Sequence, residues 1–73
     1  MNALKKARLQ RMLTLEEAAA GSGVSTPTIW NLERGGTPSV KSMRKLSQFY
    51  GVPPRVLFPN MSFWDDEQEA NQS

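Results

Sequence analysis

This chain of 73 residues contains no cysteine and no histidine. Without cysteine there is no disulfide framework and no zinc site built on thiolates. Without histidine it lacks the usual general base and the commonest metal ligand. No run approaches the roughly 18–20 apolar residues that a membrane span needs. No apolar stretch follows the opening Met-Asn-Ala-Leu-Lys-Lys that could serve as a signal peptide. No segment alternates apolar and polar residues as a half-buried strand would. A core this small also leaves little room for a substrate pocket. The expectation is a single cytoplasmic domain that is not an enzyme, with no cofactor, metal, membrane or small-molecule ligand.

What the chain does have is an uneven charge. All nine basic residues, Lys5, Lys6, Arg8, Arg11, Arg34, Lys41, Arg44, Lys45 and Arg55, lie within residues 1–58, where only Glu16, Glu17 and Glu33 oppose them. Nine less three leaves that segment at +6, whereas Asp65, Asp66, Glu67 and Glu69 bring the remainder to −4. A basic body suits a polyanionic partner. On charge alone, a solvated lysine-rich surface is an equal reading.

Local signals predict helices throughout. Residues 3–12 form the first, with Leu4, Ala7 and Arg11/Met12 toward one side and lysines on the other. Thr14-Leu15-Glu16-Glu17 is a capping box, in which Thr14 accepts from the N–H three residues on and Glu17 reaches back to the N–H of Thr14. It opens an alanine-rich second helix over 15–21, broken by Gly21-Ser22-Gly23, with Gly23 the natural left-handed position. Ser25 caps a third helix, and Pro27 sits in its first turn, where a missing N–H costs nothing. That helix runs to about Arg34 and stops at Gly35-Gly36. After a Thr37-Pro38 turn, Ser39 caps a fourth helix ending at Gly51, with a buried stripe of Val40, Met43, Leu46, Ser47 and Tyr50. Val52-Pro53-Pro54 starts a short fifth helix holding Leu57 and Phe58, and Pro59 ends it. The expected organisation is a body over 1–59 and a tail over 60–73. Met61, Phe63 and Trp64 of that tail pack on the body or on a second subunit, and its acidic remainder is disordered.

Two short helices joined by a tight glycine turn, the second opened by a serine cap, make a helix-turn-helix arrangement. On a wheel of the third helix, Ile29 and Leu32 point inward beside Val24. Pro27, Trp30, Asn31 and Arg34 point outward, with Thr26 at the exposed N-terminal end. The major groove of DNA is wide enough to admit one such helix.

The run Leu15-Glu-Glu-Ala-Ala-Ala-Gly-Ser-Gly-Val-Ser-Thr-Pro-Thr-Ile-Trp-Asn-Leu-Glu-Arg-Gly resembles the Cro/phage-repressor (Xre) family. So does its continuation, Thr37-Pro-Ser-Val-Lys-Ser-Met-Arg-Lys-Leu followed by Gly51-Val. The likeness covers residues 4–58 and rests on many weak matches in order, among them Arg8, Ala19, Gly23, Ser25, Ile29, Glu33, Gly35, Pro38 and Leu46. It implies an all-α, five-helix, lambda-repressor-like DNA-binding domain with the helix-turn-helix at helices 2 and 3. The function it implies is a sequence-specific transcriptional regulator on double-stranded DNA, a repressor of phage, mobile-element or restriction–modification controller type.

Within that frame Asn31 is the sharpest candidate reader, because a side-chain amide can pair bidentately with adenine N6 and N7. The plainer alternative is a solvated polar residue. Thr26 and Pro27 offer apolar contact to a thymine methyl, and Thr26 could instead bond a phosphate. Trp30 is counted with these base contacts, and it has two equal readings, along the sugar–phosphate wall of the groove or folded over the rim of the core. Arg34, Thr37, Lys41, Arg44, Lys5 and Lys6 are the expected phosphate contacts, which position a protein without reading sequence. Lys41 and Arg44 also lie near a helix N-terminus, which favours an anion. Lys45 and Arg55 read as merely solvated. The resemblance further implies a partly buried ion pair, Arg8 with Glu33, that sets the angle of the third helix. It also implies two departures, since the family often carries glutamine at Leu15 and lysine at Gly36.

One such domain contacts too few base pairs for strong selection in a genome. A homodimer on a palindromic operator is therefore expected, with Phe49, Val56, Phe63 and Trp64 as candidate interface residues. The alternative for these apolar groups is that they cover the base of a thin core. The rival reading of the whole chain is an antitoxin or other protein-binding module that uses the acidic aromatic tail, Phe63-Trp64-Asp65-Asp66-Glu67.

Overall fold

The structure, a computed structural model, describes residues 2–61. Phe63, Trp64 and the acidic stretch from Asp65 lie outside the described residues, together with the expectations placed on them. Among the described residues there are five helices and no strand: α1 (Ala3–Gln10), α2 (Leu15–Ser22), α3 (Thr26–Glu33), α4 (Val40–Tyr50) and α5 (Pro54–Leu57).

Side-chain caps begin the first four. The Asn2 Oδ1 accepts from Lys5 N–H at 2.9 Å. The Thr14–Glu17 box closes in both directions, at 3.0 and 2.8 Å. Ser25 and Ser39 accept from the N–H groups of Thr28 and Ser42 at 3.4 and 3.0 Å. Each cap satisfies a donor that the first helical turn cannot bond internally, worth about 1 kcal/mol. The α5 start has Pro54 instead, whose missing N–H needs no partner there.

The ends depart from expectation in two places. Helix α1 stops at Gln10, two residues early. Leu13 N–H bonds to the Arg8 carbonyl at 3.2 Å and Met12 N–H to that of Leu9 at 2.9 Å, the paired bonds of a Schellman ending. The left-handed position of that ending, usually glycine, is Met12 with φ 57°. Met12 therefore leaves the apolar side of α1 and is 89% exposed. Helix α2 does end on left-handed Gly23, but it runs straight through Gly21. A Cβ on Gly21 would collide with the Phe49 ring of α4. Gly21 is a point of close approach between two helices, not a break.

Helix α1 packs on α3 and α5, α2 packs on α3 and α4, and α4 packs on α5. They enclose a core in which Leu4, Ile29 and Leu46 are the largest fully buried side chains, joined by Ala7, Ala18, Val24, Leu32, Met43, Tyr50, Leu57 and Phe58. Leu13, Leu15, Ala19, Phe49, Val52 and Met61 seal its margin. Val40, expected in the α4 stripe, is 65% exposed. It is the first residue of α4, and helical side chains lean toward the N-terminus, so it projects past the layer of Met43, Leu46 and Tyr50. Phe49, expected outside the stripe, is half-buried, because the gap at Gly21 admits its ring. The same ring meets that of Tyr50 at 4.9 Å between centroids. The Ser47 hydroxyl donates to the Val52 carbonyl at 2.6 Å and so closes the turn from α4 to α5. No helix among the described residues is long and apolar enough to cross a membrane.

Candidate nucleic-acid interface

The third helix is held from behind. Arg8 Nε donates to Glu33 Oε2 at 2.7 Å, and Arg8 Nη2 donates to Oε1 at 2.9 Å, the two parallel bonds that a planar guanidinium can make to a carboxylate. Arg8 Nη1 also donates to the Leu13 carbonyl at 2.9 Å. The two side chains are only 10% and 5% exposed. One guanidinium thus joins α1, the turn after it and the last residue of α3. The bond to Glu33 outweighs burial and holds the Arg8 pKa above its already high ordinary value, so the guanidinium stays charged.

A second brace was not legible in the sequence. Asn2 caps α1 with its oxygen, and its Nδ2 donates to the Leu32 carbonyl of α3 at 2.9 Å. Asparagine one residue before a helix signals a cap, but nothing local signals a bond reaching 30 residues along the chain. Arg11 was missed likewise. It donates to the carbonyls of Ala7 and Tyr50 at 2.9 and 2.7 Å, and its guanidinium lies 5.1 Å from the Tyr50 ring centroid. This cation ties α1 to the C-terminal end of α4, where a positive charge also suits the helix dipole.

With its inner face in the core, α3 presents the opposite one. Pro27, Trp30, Asn31 and Arg34 are exposed, and Thr26 is half-buried at the helix start. The Asn31 side chain makes no hydrogen bond among the described residues, whereas its backbone carbonyl accepts from Gly36 N–H at 2.9 Å. That bond folds the loop after α3 back against the helix. A Cβ at Gly36 would lie 3.0 Å from the Asn31 carbonyl oxygen, so glycine suits the close approach. Trp30 is 49% exposed and stands outside the core cluster, with the Arg34 guanidinium 4.5 Å from its ring centroid.

The other phosphate candidates flank α3 in sequence. Thr37 lies in the loop, and Lys41 and Arg44 lie in the first turns of α4, all three exposed. Lys6 is exposed on α1 and Lys5 half-buried. A shallow cavity lined by Asn2, Ala3, Leu32 and residues 35–38 shows that the start of α1 adjoins the same loop. Lys45, expected to be merely solvated, is half-buried and donates from Nζ to the Gly23 carbonyl at 3.3 Å. There it serves the C-terminal end of α2. Leu15, where glutamine was the family's common choice, packs half-buried against the core margin. Val56 is 52% exposed on α5, beside a shallow groove formed with Ala3, Lys6, Ala7 and Val52.

Two short helices turning on a left-handed glycine, the second seated in the core by one face and offering the other, define a helix-turn-helix protein of five-helix, all-α architecture. This chain belongs to the Helix-turn-helix family, whose model matches residues 4–57. The likeness to phage repressors read from its residues is thereby borne out. It is similar to the HTH-type transcriptional regulator DdrOP3 of Deinococcus deserti, 32% identical over 65 residues that cover 88% of this chain and 50% of that protein. It is also similar to the cryptic phage CTXphi transcriptional repressor RstR of Vibrio cholerae, 39% identical over 66 residues that cover 89% of this chain and 60% of that protein. The chain therefore spans between half and three-fifths of the length of these relatives. No solved structure matches it.

Proposed function

We propose that this chain binds double-stranded DNA through the outward face of α3 and acts as the reading domain of a transcriptional repressor. The observation that carries the reading is that face itself. Pro27, Trp30, Asn31 and Arg34 stand exposed on a helix whose other side is buried and whose end is locked by the Arg8–Glu33 pair. A helix so held can enter the major groove without reorganising. Asn31 pairs with adenine, and Thr26 and Pro27 meet a thymine methyl. Lys5, Lys6, Thr37, Lys41 and Arg44 hold phosphates on either side. The names of the two relatives, a transcriptional regulator and a transcriptional repressor, support regulation as the outcome. On this reading the chain's chemistry is binding rather than catalysis, and it acts in the cytoplasm beside its DNA.

Selection in a genome calls for more contact than one domain makes. The operative unit is a homodimer on a palindromic operator, with its two reading helices about 34 Å apart. Val56 is the interface candidate that the described residues leave exposed, whereas Phe49 commits much of its ring to Gly21.

Fluorescence anisotropy with DNA flanking its own gene and a scrambled duplex tests the reading. The native duplex is expected to bind much more tightly, and Asn31→Ala to lose about 5- to 140-fold of that preference, the range for one bidentate base contact. Equal, weak binding of both duplexes even at low salt would reject it. The search would then turn to a protein partner, by pull-down with the tail intact.

A further inference from the structure

We propose that Arg34 reads a guanine in the major groove and that Trp30 is the residue that positions it. The inference rests on α3 being the DNA-reading helix and assigns it a second base contact beside Asn31.

Trp30 and Arg34 stand four residues apart, and helical side chains lean toward the N-terminus. The Arg34 side chain accordingly lies back along the outward face, its guanidinium 4.5 Å from the Trp30 ring centroid. A guanidinium that stacks on an aromatic ring leaves its in-plane N–H groups free for other partners. Those donors have no hydrogen-bond acceptor among the described residues. The contrast with the neighbouring arginines is informative. Arg8 is committed to Glu33 and the Leu13 carbonyl, and Arg11 to the carbonyls of Ala7 and Tyr50.

A phosphate can be met by any cation long enough to reach it. A planar fork held in one orientation suits a flat, two-acceptor target better, because less side-chain freedom is lost on contact. The commonest such target in the major groove is the O6/N7 edge of guanine. Arg34 is the C-cap residue of α3, and its position on the helical wheel continues the exposed face between Trp30 and Asn31, beside Pro27. The half-exposed indole, an unusual surface group, thereby acquires a purpose. It holds a base-reading cation in register with the amide that reads adenine.

Selection from a randomised duplex pool with the full chain tests this. The wild type, Arg34→Lys, Arg34→Ala, Trp30→Ala and Trp30→Phe are compared, all altered at exposed positions, with folding checked by circular dichroism. The wild type is expected to fix a guanine that Arg34→Lys no longer selects, with about 5- to 140-fold loss of discrimination at that one position. Arg34→Lys keeps the wild-type dependence of affinity on salt, because its charge remains. Trp30→Ala relaxes the same position while Arg34 is intact, and Trp30→Phe, which keeps an aromatic face, restores it. The proposal is overturned if Arg34→Lys selects the wild-type sequence and Arg34→Ala merely lowers the salt slope by about one, the signature of a phosphate contact. A guanine unaffected by Trp30→Ala would overturn the positioning role. Failure of the wild type to enrich any sequence would instead bring down the reading of α3 as a DNA reader, and this inference with it.

Discussion

Tyr50 is 4% exposed near the end of α4, and its buried hydroxyl has no hydrogen-bond partner among the described residues. Burial raises its pKa above the ordinary value of 10, because the charged phenolate would lose its water. Below pH 10 the group is neutral in the folded and the unfolded chain alike. As pH rises further the unfolded chain ionises first, so stability is lost as pH climbs toward and through the folded-state value. Tyr50→Phe removes both the unpaired donor and this alkaline loss. It is expected to raise stability by about 1 kcal/mol at neutral pH and by more above pH 10, measured by urea unfolding across a pH series. The chain has one tyrosine, so tyrosinate absorbance follows the group directly, and an ionisation below the ordinary value would contradict the argument. Met12 is under local backbone strain. A left-handed conformation costs a non-glycine residue about 1–2 kcal/mol, and a side chain 89% exposed returns little packing. Met12→Gly should therefore gain about 1 kcal/mol, or about 4–8 °C in melting temperature for a chain of this size. A lower melting point would show that the Met12 side chain contributes more than its exposure implies.

Helix α1 does for α3 what no local signal in α3 could do, gripping its C-terminal turn through Arg8 to Glu33 and through Asn2 to Leu32. Arg8→Ala strands a carboxylate that is 5% exposed, a loss of about 3–5 kcal/mol. That is a large part of the 5–15 kcal/mol that holds a typical domain together, and denaturant unfolding should show the variant partly unfolded or close to it. Arg8→Lys keeps the charge but cannot reproduce two bonds to Glu33 together with one to the Leu13 carbonyl. It should fold, lose stability to a smaller extent, and weaken DNA binding although it lies on the side of α3 away from the proposed groove. Wild-type affinity in a folded Arg8→Lys would show that the pair stabilises the fold without setting the angle of α3. The boundaries of these elements were unevenly legible. Thr14-x-x-Glu17, Ser25 with Pro27, Ser39, Gly23 and Gly51 are local chemistry, so α2, α3 and α4 begin where those residues place them. Helix α1 ends two residues before its sequence suggests, because a methionine at the left-handed position carries no sequence mark. Gly21 carries the sequence mark of a break for the converse reason. Its meaning lies in the Phe49 ring opposite.

Along the chain, a basic segment carrying +6 over residues 1–58 is followed by a stretch of −4. On the proposed reading, Lys5, Lys6, Lys41 and Arg44 neutralise phosphates and release the counterions condensed on them. Affinity for scrambled duplex should then fall with salt at a log–log slope of roughly −4 per subunit, near −0.9 for each phosphate neutralised. Replacing Lys5 and Lys6 together by alanine should flatten that slope by about two units, and should weaken native and scrambled duplexes in the same proportion. A change confined to the native duplex would make either lysine a reader of bases. Lys45 falls outside this group because its ammonium is engaged at the Gly23 carbonyl, which the charge count alone could not reveal.

The chain's local order determined the helices, their caps, the glycine turn and the division of α3 into a buried and an offered face. Each of these depends on relations three or four residues apart, and the periodicity of a helix imposes such relations on any chain with those residues. Tertiary structure decided which distant groups meet: the carboxylate of Glu33 against Arg8, the Leu32 carbonyl against Asn2, the Tyr50 carbonyl against Arg11, and the Phe49 ring against Gly21. It also decided that Val40, correct by period, projects beyond the core. These depend on where the helices cross and how closely their backbones approach, and only the packing of the whole core sets that geometry.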